Sequence, residues 1–304
     1  MNIAITGASG FLGGNLKPYL GENFKSILSI SRNPNGENVK TYADSSIWES
    51  NDVFIHLAGK AHDLKNTSEE SEYFEVNSEL TKKLFDAFLK SNSKVFVFMS
   101  SVKAAADEVE GVLEETVNPN PITAYGKSKL EAEQYILSHK LPENKRVYIL
   151  RPCMIHGPNN KGNLNLLFGF VKKGFPYPFG SYKNQRSFVS VDNLCFIINE
   201  LILNKNIPSG IYNVADETPM STENLVKVIG EVLGKPARIL NVPTGIMNAI
   251  AVIGGVLGLP INKERLQKLT ENYVVSNTKI KNAIGKEFPL TTKEGIEKTI
   301  SSFI

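Results

Sequence analysis

The sequence predicts an α/β chain: a doubly wound parallel sheet followed by a smaller, mixed C-terminal lobe. Three observations carry this expectation. Short apolar runs recur at Asn2–Thr6, Ile27–Ile30, Val53–Leu57, Lys94–Met99 and Arg146–Leu150. Such runs lack polar alternation, which marks strands covered on both faces. Segments with helical spacing separate them, as at Leu12, Leu16 and Leu20 and from about Glu70 to Lys90, so the pattern is βαβαβ. Past Arg151-Pro152 the texture changes: glycine, proline and asparagine are frequent from 157 to 184. Short strands at Phe188–Val191 and Ile211–Val214 then alternate with helical patterns over 192–204, 221–233, 245–258 and 277–284. We divide the chain at 1–155 and 156–304, with 186–215 returning to the first sheet. No internal repeat or low-complexity segment interrupts it.

Taken in order, the first strand runs into Gly7-Ala-Ser-Gly10-Phe11-Leu12-Gly13, and a helix follows. Strand, glycine turn and helix form the context of a dinucleotide fingerprint in a Rossmann-type domain. Gly7 permits the tight turn, Gly10 the approach of a pyrophosphate to the helix N-terminus, and Gly13 close helix–strand packing. Phe11 and Leu12 complete the cofactor-facing turn. The second strand ends at Ser31-Arg32, with no acid at that point. An acid there would take a ribose 2′-hydroxyl, whereas an arginine accommodates a 2′-phosphate. Ser31 and Arg32 therefore point to NADP, with NAD as the alternative. Asp44 has two readings: a contact to the adenine amino group, or a cap on the segment containing Trp48. Leu57 and Ala58, at the end of the next strand, belong beside the cofactor, and His56 reads as a satisfied core residue.

Ser100-Ser101 close the Lys94–Met99 strand, at the sheet end where ligands meet open α/β sheets. Beyond Pro119 and Pro121 comes Tyr125-Gly-Lys-Ser-Lys129, in a helical pattern. Positions i and i+4 share a helix face, which sets a phenol above an ammonium. A phenol has a pKa of ~10, and a neighbouring cation favours its ionised form. Tyr125 is thus expected to carry a lowered pKa and to exchange a proton with a substrate oxygen, while Ser100 and Ser101 read either as ligand contacts or as caps of the next segment.

Bulk properties limit the partners. The chain has 304 residues, 41% hydrophobic and 21% charged, with net charge +3. Nothing there asks for nucleic acid, and no metal is expected. Cys153 and Cys195 are the only cysteines, too few for a disulfide framework. Met1 leads directly into a strand, so no signal peptide is expected and the cytoplasm is the default location. The apolar stretch from Pro243 to Pro260 falls short of the ~20 residues a spanning helix needs. It reads as a buried or capping helix, with a peripheral membrane contact or a subunit interface as alternatives.

Together, Gly7-x-x-Gly10-x-x-Gly13, Ser101, Tyr125-x-x-x-Lys129 and the helix asparagine Asn77 resemble the extended short-chain dehydrogenase/reductase family, the nucleotide-sugar epimerase/dehydratase group. Ser100-Ser101-Val-Lys103, Arg151-Pro-Cys-Met-Ile-His-Gly-Pro158 and Asn184-Gln-Arg186-Ser-Phe-Val-Ser-Val-Asp192-Asn resemble a bacterial surface-polysaccharide branch acting on UDP-linked hexosamines. The resemblance implies that Ser101, Tyr125 and Lys129 are catalytic, with Lys129 also holding the nicotinamide ribose. It implies that Asn163, Leu164 and Arg186 contact the UDP moiety and Arg265 its diphosphate. Two positions depart from the family pattern: Met154 replaces a common Asn, and Ser276-Asn277 replaces an acidic helix start. A 4,6-dehydratase of this family carries Asp-Glu after the serine; Val102 and Lys103 stand here instead, which disfavours elimination. The expected activity is an NADPH-dependent 4-ketoreductase acting on a UDP-hexose or UDP-hexosamine. A 4-epimerase with retained NAD is the alternative, and a non-catalytic NADP-sensing protein a third reading. The helices at 70–90 and 125–139 resemble the pair that dimerises relatives, so a homodimer is expected.

Overall fold

The structure, a computed structural model, describes residues 1–24, 26–35, 38–60, 69–160, 162–256 and 262–304, with backbone alone at 254–256, 263–265 and 268. Its centre is a seven-stranded sheet: β1 (Asn2–Thr6), β2 (Ser26–Ile30), β3 (Val39–Lys40), β4 (Val53–His56), β5 (Val95–Met99), β6 (Arg146–Pro152) and β7 (Gly210–Val214). The strand order is β7-β6-β5-β4-β1-β2-β3, and every neighbouring pair is parallel. The chain runs outward from β1 to β3, then returns to β4 on the other side. That reversal opens a crevice at the C-terminal ends of β1 and β4, the switch point where open α/β sheets bind ligands.

The sequence explains this burial. β4 and β5 are covered along their whole length. On one face Leu12, Leu16 and Leu20 pack with Ile197, Ile198 and Leu201. On the other, Phe85, Phe88, Phe96 and Phe98 are fully buried with Ile136; each phenylalanine contributes about 2 kcal/mol by leaving water. A separate core in the C-terminal lobe gathers Leu164, Phe168, Val226, Ile229, Met247 and Ile296.

Two features depart from the expected pattern. The single helix expected over 70–90 is built of α-turns at Glu70–Tyr73 and Leu80–Lys90 joined by a π-helical stretch, Phe74–Glu79. In the lobe, helices at Asn163–Lys172, Lys263–Thr270 and Thr292–Ser301 add to the four expected ones. The first lies within the glycine- and proline-rich texture that reads as loop. The last carries a full capping box, Thr291 with Glu294, which was the available signal. Phe188–Ser190 pairs with Met154–His156 in its own small sheet, while Gly210–Val214 supplies β7.

Candidate active site

The glycine turn is shaped by close approach. Gly7 has φ of +70°, and a Cβ there would lie 2.7 Å from the Ala58 nitrogen. A Cβ on Gly13 would lie 2.4 Å from the Gly7 carbonyl oxygen, so the helix can only seat with glycine there. At Gly10 a Cβ would meet the Gly7 oxygen alone, at 3.3 Å, and the crevice side stays open. Helix Phe11–Gly21 begins at Gly10 with no side-chain cap and no acid in its first turn. Its N-terminal amides thus face the crevice unclaimed by side chains. This cradle fits the pyrophosphate of a dinucleotide. Leu12 is buried and Phe11 packs against the core, so both serve the turn through their backbone. The backbones of Leu57 and Ala58 abut Gly7.

At the end of β2, Ser31 donates its N–H to the Lys40 carbonyl at 2.9 Å and accepts from the Asn33 N–H at 3.3 Å. Arg32 is exposed and has no ion pair among the described residues. It stands near Tyr42, whose hydroxyl is pushed up by burial against the opposing charge of Arg32. Asp44 ties down the start of the short helix Ser46–Ser50, an arrangement compatible with either of its two readings. Its carboxylate accepts from the Ser46 N–H at 2.9 Å and hydroxyl at 2.6 Å, and pairs with Lys40 at 3.1 Å. The Ser46 bonds hold its carboxyl below the usual range.

Helix Ala124–Ser138 carries Tyr125 and Lys129. Thr123 caps it, accepting from the Gly126 N–H at 3.2 Å, and Asp107 clamps the cap by accepting from the Thr123 N–H at 3.1 Å. A Cβ on Gly126 would lie 2.4 Å from the Lys103 carbonyl oxygen. Glycine there lets the helix start press against the turn after β5. That approach joins the Tyr125 hydroxyl to Ser101 by a side-chain hydrogen bond. Neither Asp107 nor Gly126 is recognisable from the sequence pattern.

Lys129 is 4% exposed, and its Nζ donates to the Met99 carbonyl at 2.8 Å. A Cβ on Gly59 would lie 3.0 Å from that Nζ and 3.0 Å from Asn77 Oδ1, so a glycine brings the three together. Asn77, on the π-helical stretch, ties down the Gly59–Lys60 segment. Its Oδ1 accepts from the Lys60 N–H at 2.8 Å, and its Nδ2 donates to the Lys60 carbonyl and to Ser128 Oγ, both at 3.1 Å. Burial pushes the Lys129 ammonium down to about 8, with Glu133, one turn further on, opposing. Glu133 in turn holds the buried Arg151, accepting from its Nε at 2.9 and 3.1 Å, and accepts from Ser100.

The expected lowering of the Tyr125 pKa is corrected. Burial raises it, the Ser101 hydrogen bond opposes, and Tyr73, edge-on at 6.3 Å, adds to the rise. Lys129 is turned to Met99 and does not offset the burial of the phenol. Tyr125 therefore keeps its proton through neutral pH. His56 is a core residue: its ring nitrogens bond Thr6 at 2.7 Å and Thr81 at 2.9 Å, and burial pushes it down to about 3.

The substrate side is less uniform. Asn163 is exposed at the first position of its helix, whereas the Leu164 side chain is committed to the lobe core. Arg186 is half-buried and pairs with Glu271 at 3.5 Å. The Lys103 Nζ donates to the Asp107 carbonyl at 2.7 Å and sits 4.4 Å over the Tyr273 ring, where it feels the charge of Arg186. Lys103 and Arg186 thus come together beside Tyr273. Arg265 falls in helix Lys263–Thr270, and its side chain lies outside the described residues.

The sequence model of the NAD dependent epimerase/dehydratase family matches residues 3–215. The chain belongs to this family. A UDP-glucose 4-epimerase of Vibrio cholerae is 30% identical over 100% of this chain and 95% of its own. An N-acetyl-alpha-D-glucosaminyl-diphospho-ditrans,octacis-undecaprenol 4-epimerase of Escherichia coli O157:H7 is 26% identical over 98% and 94%. Among solved structures, a UDP-N-acetylglucosamine 4-epimerase from Bacillus cereus superposes with a TM-score of 0.78 at 19% identity, covering 99% of this chain and 98% of that one. This family member is an extended short-chain dehydrogenase/reductase and an enzyme.

Proposed function

We propose that this enzyme transfers hydride at C4 of a UDP-linked hexose or hexosamine, working as an NADPH-dependent 4-ketoreductase in surface-polysaccharide synthesis. The observation that carries the reductase direction is the pairing of a protonated phenol with an unpaired Arg32. A ketone accepting hydride needs a proton on its oxygen, and Tyr125, its pKa raised by burial, is charged with one at neutral pH. Arg32, with no carboxylate partner among the described residues, suits a 2′-phosphate. A nicotinamide bound over the Gly7–Gly13 turn supplies the hydride. Ser101 orients the C4 oxygen toward Tyr125. Lys129 holds the ribose hydroxyls and keeps a positive charge beside the site below about pH 8. Asn163 and Arg186 take the UDP moiety, with Leu164 contributing only its backbone, and Arg265 takes the diphosphate; guanidinium groups suit such charge-assisted bonds. Val102 and Lys103 offer no carboxylate for elimination.

The test supplies purified protein with a UDP-4-keto-6-deoxy-N-acetylhexosamine and NADPH. Loss of the reduced-nicotinamide absorbance with formation of a 4-hydroxy sugar supports the reading; no loss sinks it. A second reading, a 4-epimerase retaining NAD, draws on the full-length similarity to named 4-epimerases. It predicts co-purifying NAD and interconversion of UDP-hexose epimers without added cofactor. In both readings the protein is a homodimer through the helices at 70–90 and 125–139, which light scattering checks.

A further inference from the structure

Helix Thr244–Val256 is two-faced without being charged. Met247 and Ala251 are 2% and 1% exposed and enter the lobe core, while Ile246, Ile250 and Ile253 are 53%, 42% and 57% exposed. These three follow i, i+4, i+7 spacing, so they form one stripe. Leu240, 49% exposed, extends the stripe on the segment leading into the helix. No charged residue occurs between Arg238 and Lys263. The margin is the opposite. Lys172, Lys173, Lys235 and Arg238 are exposed, and none has an ion pair among the described residues. They lie together: Lys235 Nζ donates to the Lys172 carbonyl at 3.2 Å, and the Tyr177 N–H to the Arg238 carbonyl at 2.7 Å. Residues 233–270 hold five Lys/Arg and one Glu, a net +4 against +3 for the whole chain. The rest of the chain therefore sums to −1, so this stretch of sequence carries the net positive charge.

We propose that this face docks on an anionic lipid surface. An apolar stripe with unpaired cations at its margin is the pattern of a helix lying in the membrane interface, isoleucines among the acyl chains and cations at the headgroups. At about 1.5 Å per residue, the described helix spans roughly 20 Å, enough to lie along a bilayer and too short to cross its core of about 30 Å. Among the described residues no helix is long and apolar enough to span. A second copy of this face would set like charges against each other, which is why lipid is the better occupant. Docking would hold the sugar-binding lobe against the bilayer, whichever C4 reaction it performs.

The experiment is co-sedimentation of the full chain with vesicles of phosphatidylcholine alone or mixed with phosphatidylglycerol. Binding to the mixed vesicles is expected, weakening with salt. Lys235→Gln and Arg238→Gln should each lower the partition about fivefold. Ile250→Glu with Ile253→Glu should abolish it, with NADPH affinity and thermal midpoint unchanged because both side chains are exposed. Failure of the wild type to bind anionic vesicles overturns the proposal. So does binding that survives the double glutamate variant, or a concentration-dependent dimer that the same variant splits.

Discussion

Replacing Lys129 by methionine measures how strongly the fold desolvates a buried lysine at the candidate site. Methionine keeps the length and removes the charge. Lys129 falls from an ordinary 10.5 to about 8, chiefly through burial. A shift of that size corresponds to about 3 kcal/mol. Between those two values the unfolded chain still binds the proton that the native site has released. Native stability therefore rises with pH across that window, and below about pH 8 the folded state carries the full cost of the buried charge. The variant also loses the bond to the Met99 carbonyl, at about 1–3 kcal/mol, but that loss does not depend on pH. Wild-type and variant unfolding free energies should thus converge or cross, their difference changing by about 3 kcal/mol between pH 8 and 10.5. Urea titrations read by the single tryptophan, Trp48, stacked on Phe54 at 4.3 Å, supply the numbers. A difference that stays flat across the window would falsify the claim that burial controls this lysine. Turnover should be lost in the same variant.

Three further outcomes follow from the site. Tyr125→Phe removes the proposed proton donor and should lower kcat by about 10²–10⁴ while nicotinamide-cofactor binding, followed by fluorescence, is retained; undiminished kcat refutes the role. Glu133→Gln leaves the buried Arg151 guanidinium without its counter-charge, at about 3–5 kcal/mol, seen as a lower urea midpoint with an unchanged m-value. The same substitution removes the charge that raises the Lys129 pKa, so the stability rise tied to Lys129 should begin at lower pH. His56, held near 3 instead of 6.5, lends stability that is present above pH 6.5 and lost as pH falls toward 3, up to about 5 kcal/mol. His56→Gln should flatten that acid limb whatever it costs at neutral pH, and an equally steep limb in the variant would rule the histidine out.

What was legible in the sequence was whatever the backbone alone dictates. Gly7 and Gly13 could be assigned because a turn with positive φ and a helix seated 2.4 Å from a carbonyl admit no other residue. The Tyr125–Lys129 pair could be assigned because 3.6 residues per turn fixes its face. The electrostatic sign of that pair was not legible. A cation four residues from a phenol argues for a lowered pKa only if the cation faces the phenol and the phenol stays wet. Here the Met99 carbonyl at the end of β5 draws the ammonium away, and Tyr73, from a helix some fifty positions earlier, closes over the ring. Asp44 illustrates the same limit: that its carboxylate ties to Ser46 could not be read from its place after a strand. Glu133 was visible one turn beyond Lys129, yet its importance comes from Ser100 and Arg151, each supplied by a different strand end. Local spacing therefore names the candidate groups, and long-range packing sets their protonation. That division matters for the proposed reaction, because a phenol that keeps its proton is prepared to give one to a ketone, and Glu133 opposes the burial that drives Lys129 toward neutrality.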